Sequence, residues 1–216
     1  MTTEYFIEIH PGHELEARIG TTKDAVKAHL GDAVVDDPAQ TKFLRDTPHF
    51  TMQVARTANF MHMIEAYANV ARQFSKIAYT VDGVGRANKG GLIEVHATVT
   101  EADQRRFRDL HYALIEASRP HLAQEPPTMF PAKNFSGYEA ENLAYCHFPP
   151  GRGNYKPHAS VGRFAENVLA DEKLDHILAG FRPEGNYTTG GLIVWQYVKD
   201  DPTFQVHNPI EISLRK

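Results

Sequence analysis

Two short stretches of this 216-residue chain, TPHFTMQV (residues 47–54) and KPHASVGR (residues 156–163), share the pattern Pro-His-x-(Thr or Ser)-apolar. One stretch lies in each half of the chain. Both read as short strands, because apolar residues recur at alternate positions. Side chains two positions apart in a strand project to the same face, so the histidine and the hydroxyl residue of each stretch are expected to share one face. The two stretches are therefore candidates for the two halves of one site.

The order of elements around the two stretches indicates an internal repeat. Each half contains a strand, a loop, the Pro-His stretch, a helix, and then a strand that begins Gly-Gly-Leu-Ile, at 90–93 and again at 190–193. A duplicated unit of this kind places equivalent strands about a pseudo-twofold axis. The sequence therefore predicts one bilobal α+β domain over residues 1–216, with duplicated strand-helix-strand lobes. We expect lobe one over roughly 11–125 and lobe two over roughly 126–216, with the N-terminal strand a candidate to join lobe two.

Periodicity predicts the individual elements. The expected strands are EYFIEIH (4–10), HFTMQVA (49–55), the two arms of the Gly-rich stretch 78–100, LAYCHF (143–148), HASVGRF (158–164), GGLIVWQYVKDD (190–201) and FQVHNPIEISL (204–214). The expected helices are 15–31, ending at Gly31, then 59–77, 101–122 with Thr100 as a candidate cap, and 165–181. The Pro-rich stretch 123–142 is interpreted as a crossing between the halves.

The paired stretches suit the chemistry of phosphodiester bonds. If the lobes face each other, His49 and His158 meet across a cleft with Thr51 and Ser160 beside them. One imidazole can accept a proton from water while the other protonates the leaving oxygen, because the histidine pKa lies near neutrality. The two hydroxyls can donate hydrogen bonds to phosphate oxygens and stabilise charge in the transition state. The sequence does not distinguish the acid from the base.

A third His-x-Thr pattern occurs in HATV, at His96 and Thr98. In a chain with 12 histidines, chance supplies about one such match, so the count alone does not decide the question. Unlike the other two, this histidine does not follow a proline. Aligning the two Gly-Gly-Leu-Ile quartets places it opposite Gln196, where there is no motif. We therefore interpret His96 as an ordinary polar strand residue.

The chain resembles the two-histidine phosphoesterases, the superfamily of the LigT-like RNA 2′,3′-cyclic phosphodiesterases, which are also called 2′-5′ RNA ligases. Their signature is a duplicated His-x-(Thr/Ser)-apolar motif, and HFTM (49–52) and HASV (158–161) match it. The opening strand YFIEIHP (5–11) is similar to that of the family, and Arg163 supplies the basic residue that often stands five positions after the second histidine. The resemblance implies antiparallel sheets around a central cleft.

The resemblance also implies metal-free hydrolysis of a 2′ linkage or of a cyclic phosphate. The two histidines would be the acid and the base, the hydroxyls would bind phosphate, and Arg163 would add positive charge. Tyr155 and Lys156, in the loop before the second motif, are either contacts to a base or phosphate or part of an ordinary surface loop. The candidate catalytic residues are His49, His158, Thr51 and Ser160, and the candidate substrate-binding residues are Arg163, Tyr155 and Lys156.

Four neighbours of the motif residues carry further expectations. Phe50 and Ala159 point away from their histidines and are predicted to lie in the core. Gln53 and Gly162 stand where the family usually has apolar residues, so they are mild departures from its pattern.

Composition limits the partners. The net charge of −4 and the pI near 6.3 argue against a general binder of long nucleic acid and favour a small nucleotide or an RNA terminus. A single cysteine, Cys146, cannot form an internal disulfide, which favours a cytoplasmic location. No secretory signal and no membrane-spanning run are recognisable. We expect a monomer that requires neither metal nor cofactor.

Three alternatives remain open at this point. The HPGH stretch places His10 and His13 close together, but without the helical His-x-x-x-His spacing of a zinc site. A second alternative is a non-catalytic module that binds a nucleotide or an RNA end in the same cleft. A third alternative is an enzyme that degrades signalling nucleotides, such as 2′-5′ oligoadenylates or cyclic dinucleotides.

Overall fold

The chain folds into strands and helices in a computed structural model that describes residues 2–89, 91–151, 153, 155–197 and 207–215. The strands are β1 (Thr3–Ile9), β2 (Thr41–Lys42), β3 (Phe50–Thr57), β4 (Ala78–Lys89), β5 (Leu92–Val99), β6 (His158–Phe164), β7 (Gly185–Thr188), β8 (Leu192–Tyr197) and β9 (His207–Ile212). The helices are α1 (His13–Leu30), α2 (Asp32–Val35), α3 (Phe60–Ala71), α4 (Glu101–Ser118), α5 (Gly137–Cys146), α6 (Glu166–Leu169) and α7 (Glu172–Ala179). Single 3₁₀ turns lie at Arg119–His121 and Ala132–Asn134.

The strands form two antiparallel sheets, which confirms the α+β prediction. One sheet has the order β3-β1-β8-β9, and the other has the order β2-β6-β5-β4-β7. Helices α3 and α4 pack on each other, with α4 against β3, while α1 and α7 pack on each other, with α1 against β6. Each motif strand therefore has helices on one side, and its other face is left for the site. No helix in the described ranges is both long and apolar enough to span a bilayer.

The internal repeat has a different boundary from the expected one. The first unit is β1-α1-β3-α3-β4, and the second is β5-α4-β6-α7-β8. In each unit the first strand pairs with the motif strand, and the last strand pairs with the first strand of the other unit. The units therefore meet between β4 and β5, and the two sheets interleave segments of both halves. The division at residue 125 does not follow these sheets.

The repeated Gly-Gly-Leu-Ile quartets do not mark equivalent strands. The pairing places β5 in correspondence with β1, whereas the quartet match equates β5 with β8. The glycines of the two quartets are required for different local reasons. Gly91 has a φ of 88°, which side-chain-bearing residues rarely adopt. A Cβ on Gly191 would lie 2.8 Å from the carbonyl oxygen of Ile212, so that glycine permits close approach of β9. The alignment of quartets was therefore wrong.

A β-bulge occurs at the same position in both motif strands. The register shifts past Met52 in β3 and past Val161 in β6, each three residues after its histidine. A bulge inserts one residue, so the alternation of faces resets beyond it. As a result Arg163, five positions after His158, returns to the face of that histidine, which strict alternation would not allow. The shared bulge supports the pseudo-twofold relation between β3 and β6.

The core lies behind the motif strands, and Phe50 and Ala159 are fully buried there, as predicted. Gln53 is also fully buried. Its amide nitrogen donates to Ser118 Oγ and to the Cys146 carbonyl, at 3.0 and 3.1 Å. These bonds offset the cost of burying a polar group where the family usually has an apolar one.

Gly162, the other departure from the family pattern, is explained by packing. A Cβ built there would lie 2.8 Å from Leu44 Cδ2, so the space of the usual side chain is already filled from the loop before His49.

Several predicted elements differ from the structure. LAYCHF (143–148) was predicted as a strand but contains the end of α5, where Leu143 and Cys146 are buried at helical spacing and His147 terminates the helix with a φ of 63°. The helix expected over 165–181 divides into α6 and α7, because Asp171 caps the second segment by accepting from the Leu174 N–H. The helix expected over 59–77 ends at Ala71. Parts of the last two predicted strands, at 198–206, lie outside the described residues.

Thr100 was predicted to cap α4, and only its position agrees with that prediction. Thr100 occupies the N-cap position, as expected, but its hydroxyl donates to Asp103 Oδ2, 2.9 Å away, and does not cap a backbone N–H.

Candidate active site

Both motif histidines are oriented by the same backbone contact. Nδ1 of His49 lies 2.8 Å from the Thr47 carbonyl oxygen, and Nδ1 of His158 lies 2.9 Å from the Lys156 carbonyl oxygen. A carbonyl only accepts, so each Nδ1 carries a proton and donates. In the neutral ring, Nε2 is then the free base. The residue two positions before each histidine therefore sets the same tautomer in both lobes.

In the first lobe, Nε2 of His49 faces a buried carboxyl group. Its distance to Glu8 Oε1 is 3.1 Å, and the Glu8 side chain is only 6% exposed. Glu8 lies on β1 directly opposite Thr51. Burial raises the pKa of Glu8 to about 8, against the lowering effect of the Trp195 indole N–H. Glu8 therefore holds a proton at neutral pH.

A buried lysine ties the His49 loop to α1. The Nζ atom of Lys23 donates to the carbonyl oxygens of Phe43 and Asp46, both at 2.7 Å. Burial lowers the pKa of Lys23 to about 8. It also raises the pKa of the Asp46 carboxyl group, against the effect of His49 and of the lysine. The loop that carries the first histidine is thus anchored from behind by ion–dipole contacts.

In the second lobe, a buried carboxylate lies among the motif residues. Glu94 on β5 is 1% exposed and accepts from Ser160 Oγ at 2.8 Å and Arg163 Nε at 3.3 Å. Its other oxygen, Oε2, lies 3.4 Å from His158 Nε2. Burial acts to raise the pKa of Glu94, but His158, Arg163 and the Ser160 hydroxyl outweigh it and hold the pKa below its ordinary value. Glu94 is therefore ionised at neutral pH.

The two motifs share one electrostatic environment. Burial lowers the pKa of His49 and of His158 below the ordinary histidine value. The charge of Glu94 acts in the opposite direction on both rings. Both rings therefore lie within electrostatic range of the same carboxylate, where β3 and β6 approach each other.

Comparison with known proteins identifies the family of this chain. Residues 14–201 match the family model described as the 2′-5′ RNA ligase superfamily. The chain belongs to the 2′-5′ RNA ligase superfamily. This confirms the resemblance drawn from the duplicated His-x-(Thr/Ser) motif. No curated protein matches the chain in sequence.

Solved structures that are similar to this member of the 2′-5′ RNA ligase superfamily support its fold. Escherichia coli LigT complexed with NADP+ is 11% identical, with a TM-score of 0.53, over 99% of this chain and 98% of LigT. Kluyveromyces marxianus Usb1 is 12% identical, with a TM-score of 0.50, over 98% of each chain. A phosphoesterase of known crystal structure is 12% identical, with a TM-score of 0.55, over 99% of each chain.

His96 lies on the face of the site, contrary to the interpretation from the sequence. It pairs with Ser160 across β5 and β6, and its ring centroid is 5.0 Å from that of His158. The pairing makes His96 the counterpart of Glu8, which pairs with Thr51, and not of Gln196. Burial, together with the nearby His158, lowers the pKa of His96 to about 4, so this ring is uncharged at neutral pH.

Gly85 makes room for that third ring. A Cβ on Gly85 would lie 2.4 Å from His96 Nε2, so the imidazole lies directly over the backbone of β4. Gly85 is visible in the sequence, but only the pairing of β4 with β5 shows that it makes room for His96.

Of the remaining predicted site residues, Thr51, Arg163 and Lys156 lie at or beside the motifs, whereas Tyr155 is buried elsewhere. Thr51 is half-buried in β3, and Arg163 stands on the site face with its guanidinium 4.7 Å from the Phe43 ring. Lys156 is exposed, and its carbonyl orients His158. Tyr155 is a correction, because its ring is 3% exposed and stacks on His111 at 4.1 Å.

The hydroxyl of Tyr155 points to Met52 Sδ, 3.2 Å away. Its ring therefore packs behind the bulge of β3 and does not offer a free face to a base.

The HPGH stretch brings three possible metal ligands together, from His10, His13 and Glu16, within 4.8 Å of one another. The Gly12 N–H donates to His10 Nδ1 at 3.0 Å, so the proton of the neutral ring is on Nε2. That nitrogen lies 3.0 Å from Glu16 Oε2 and donates to it. A metal ion on Nε2 would require this nitrogen to lose its proton while Nδ1 still accepts, which disfavours the metal alternative.

Proposed function

We propose that this protein is a phosphodiesterase that hydrolyses a 2′,3′-cyclic phosphate or a 2′-5′-linked nucleotide, with His49 and His158 as the acid and base and without a metal ion. The observation that carries the proposal is the matched pair of rings, each with Nδ1–H donating to a carbonyl and Nε2 left for proton transfer. Membership in the 2′-5′ RNA ligase superfamily supports an activity on phosphodiester bonds. The E. coli LigT structures with 3′-AMP and NADP+ support a small nucleotide as the ligand.

The proposed step needs only two proton transfers. One imidazole takes a proton from water as the water oxygen bonds to phosphorus. The bond from phosphorus to the 2′ or 3′ ribose oxygen breaks, and the second imidazole protonates that oxygen. Thr51 and Arg163 donate to the non-bridging oxygens, and Ser160 joins them when its hydroxyl turns from Glu94 to the ligand. These donors stabilise the negative charge in the transition state.

The distribution of protons supports His49 as the acid and His158 as the base. The Glu8–His49 pair holds a proton at neutral pH, because burial raises the pKa of Glu8 to about 8. The Glu94–His158 pair holds an ionised carboxylate beside an imidazole whose pKa is below the ordinary value. A proton is thus available on the first lobe and a vacant basic nitrogen on the second.

The test of the proposed function is turnover in EDTA of 2′,3′-cyclic mononucleotides, a 2′-5′ oligoadenylate and a mixed-linkage cyclic dinucleotide. We expect hydrolysis of at least one of them, at the same rate with and without the chelator. A rate that falls in EDTA and returns with a divalent ion would contradict the metal-free mechanism. Binding without turnover would favour the nucleotide-binding alternative, and preference for the last two substrates would favour the signalling-nucleotide alternative.

The proposed proton distribution predicts a bell-shaped pH profile of kcat/KM. Activity rises with pH as His158 loses its proton, below the ordinary histidine pKa, and falls as the Glu8–His49 pair loses its proton near pH 8. In Glu8→Gln the carboxyl proton is absent, so the alkaline limb is expected to move toward lower pH, to the pKa of His49 itself. An alkaline limb that is unchanged in Glu8→Gln would rule out the pair as the proton source.

A further inference from the structure

Glu94 occupies the donors that the proposed function assigns to phosphate in the second lobe. Ser160 Oγ and Arg163 Nε both donate to Glu94 Oε1, and His158 Nε2 lies 3.4 Å from Oε2. Oε2 makes no hydrogen bond to the described residues, although it is fully buried. A buried carboxylate thus engages the same donors that a bound anion would need.

The first lobe does not offer the same set of donors. The position five residues after His49 is Val54, which is buried, so there is no counterpart of Arg163. Its carboxyl group, Glu8, holds a proton at neutral pH and carries little charge. The guanidinium and the ionised carboxylate therefore both belong to the second lobe.

An ionised carboxylate beside an anion site acts according to the charge of the ligand. Coulomb repulsion is proportional to the product of the two charges, so a dianion is repelled twice as strongly as a monoanion at the same position. A phosphodiester carries one negative charge, whereas a phosphomonoester carries about −1.5 to −2 at pH 7. Hydrolysis of a diester to a monoester thus increases the repulsion from Glu94.

We propose that Glu94 is a specificity-determining residue that makes the site favour monoanionic phosphodiesters over dianionic phosphomonoesters. The carboxylate keeps Ser160 and Arg163 in place before substrate binds and weakens the binding of the doubly charged product. The inference rests on the proposed function for the identity of substrate and product, but its test measures binding and requires no turnover.

The experiment compares two small probes, dimethyl phosphate as the monoanion and methyl phosphate as the dianion, at about pH 7, where the monoester is largely doubly ionised and Glu8 is still protonated. Dissociation constants are measured by ligand-observed phosphorus NMR for the wild type and for Glu94→Gln and Glu8→Gln. Glutamine keeps an acceptor for the Ser160 hydroxyl and removes the charge. Glu8→Gln is the matched control, because it changes a buried glutamate of the same cleft that is already neutral.

We expect Glu94→Gln to tighten methyl phosphate by roughly tenfold or more, and dimethyl phosphate by clearly less, since removing one charge acts in proportion to the charge of the ligand. In Glu8→Gln the ratio of the two dissociation constants stays near its wild-type value. An equal change for both probes in Glu94→Gln, or no change, would overturn the inference, as would the same change of ratio in both variants.

The wild type provides a measurement that does not depend on the folding of a variant. Despite Arg163 and two imidazoles in the cleft, the unmodified protein is expected to bind methyl phosphate no more tightly than dimethyl phosphate. A wild type that binds the dianion about tenfold more tightly would overturn the inference by itself. If the protein hydrolysed a substrate but bound the dianion more tightly, the proposed function would stand and the role of Glu94 would be rejected. If it hydrolysed no substrate but bound the two probes as expected, the role of Glu94 would stand and the proposed function would be rejected.

Discussion

Replacing His49 or His158 by alanine is expected to lower kcat by about a thousandfold, because each substitution removes one of the two proton transfers, and each transfer contributes on the order of 10²–10⁴. KM should change little, since Thr51, Ser160 and Arg163 remain to bind the phosphate. Steady-state kinetics on whichever substrate of the panel is hydrolysed fastest measures the effect. The double variant should be only slightly slower than either single one, because residues that act as a unit are not additive.

The control for this prediction is His176→Ala. His176 is exposed on α7 and belongs to neither motif. Its removal is expected to leave kcat within a factor of about two, as for most surface substitutions. If one motif histidine could be removed with less than a tenfold loss while the other could not, a mechanism with a single essential imidazole would replace the paired one.

His111→Ala is expected to lower the free energy of unfolding by on the order of 3–4 kcal/mol, through loss of a buried ring and of its hydrogen bond. His111 on α4 is fully buried, and its ring stacks on Tyr155. Its Nδ1–H donates to the carbonyl of Met52, the residue at the bulge of β3. A bulged residue has no partner in the strand ladder, so the His111 side chain gives the Met52 carbonyl a donor that β1 does not provide.

His111→Phe separates the two contributions. Phenylalanine keeps a ring against Tyr155 but leaves the Met52 carbonyl without its donor, so we expect a smaller loss, of about 1–2 kcal/mol. Urea denaturation of the wild type and the two variants measures all three free energies of unfolding. A loss below about 1 kcal/mol for His111→Ala would show that the ring and the bulge contribute little to stability.

Local patterns were sufficient for much of the fold. The strands at Thr3–Ile9 and His158–Phe164 and the helix at Glu101–Ser118 follow from alternation and from helical spacing of apolar residues. LAYCHF was wrong because a six-residue apolar run fits either period, and only the packing of Leu143 and Cys146 on one face distinguishes them. Tyr155 was misplaced because nothing local shows that His111 would cover its ring.

The repeat illustrates the same limit. The two histidine motifs indicated a duplication correctly, but the Gly-Gly-Leu-Ile match set the wrong correspondence between strands. Glycines recur wherever the backbone turns or approaches another strand closely, so a shared pair of them carries little information about equivalence. The pairing of Ser160 with His96 and of Thr51 with Glu8 is the correspondence that the sheets support.

The sequence by itself determined the candidate site residues, because His49 with Thr51, and His158 with Ser160, lie at the two-residue spacing that places them on one face of a strand. Only the tertiary structure decided what surrounds them. Glu8 and Glu94 come from other strands, and their distance from the motifs along the chain reveals nothing of the 3.1 and 3.4 Å that separate them from the imidazoles. Burial and cross-strand pairing leave one of these carboxyl groups protonated and the other ionised, and neither effect exists until the two sheets have formed.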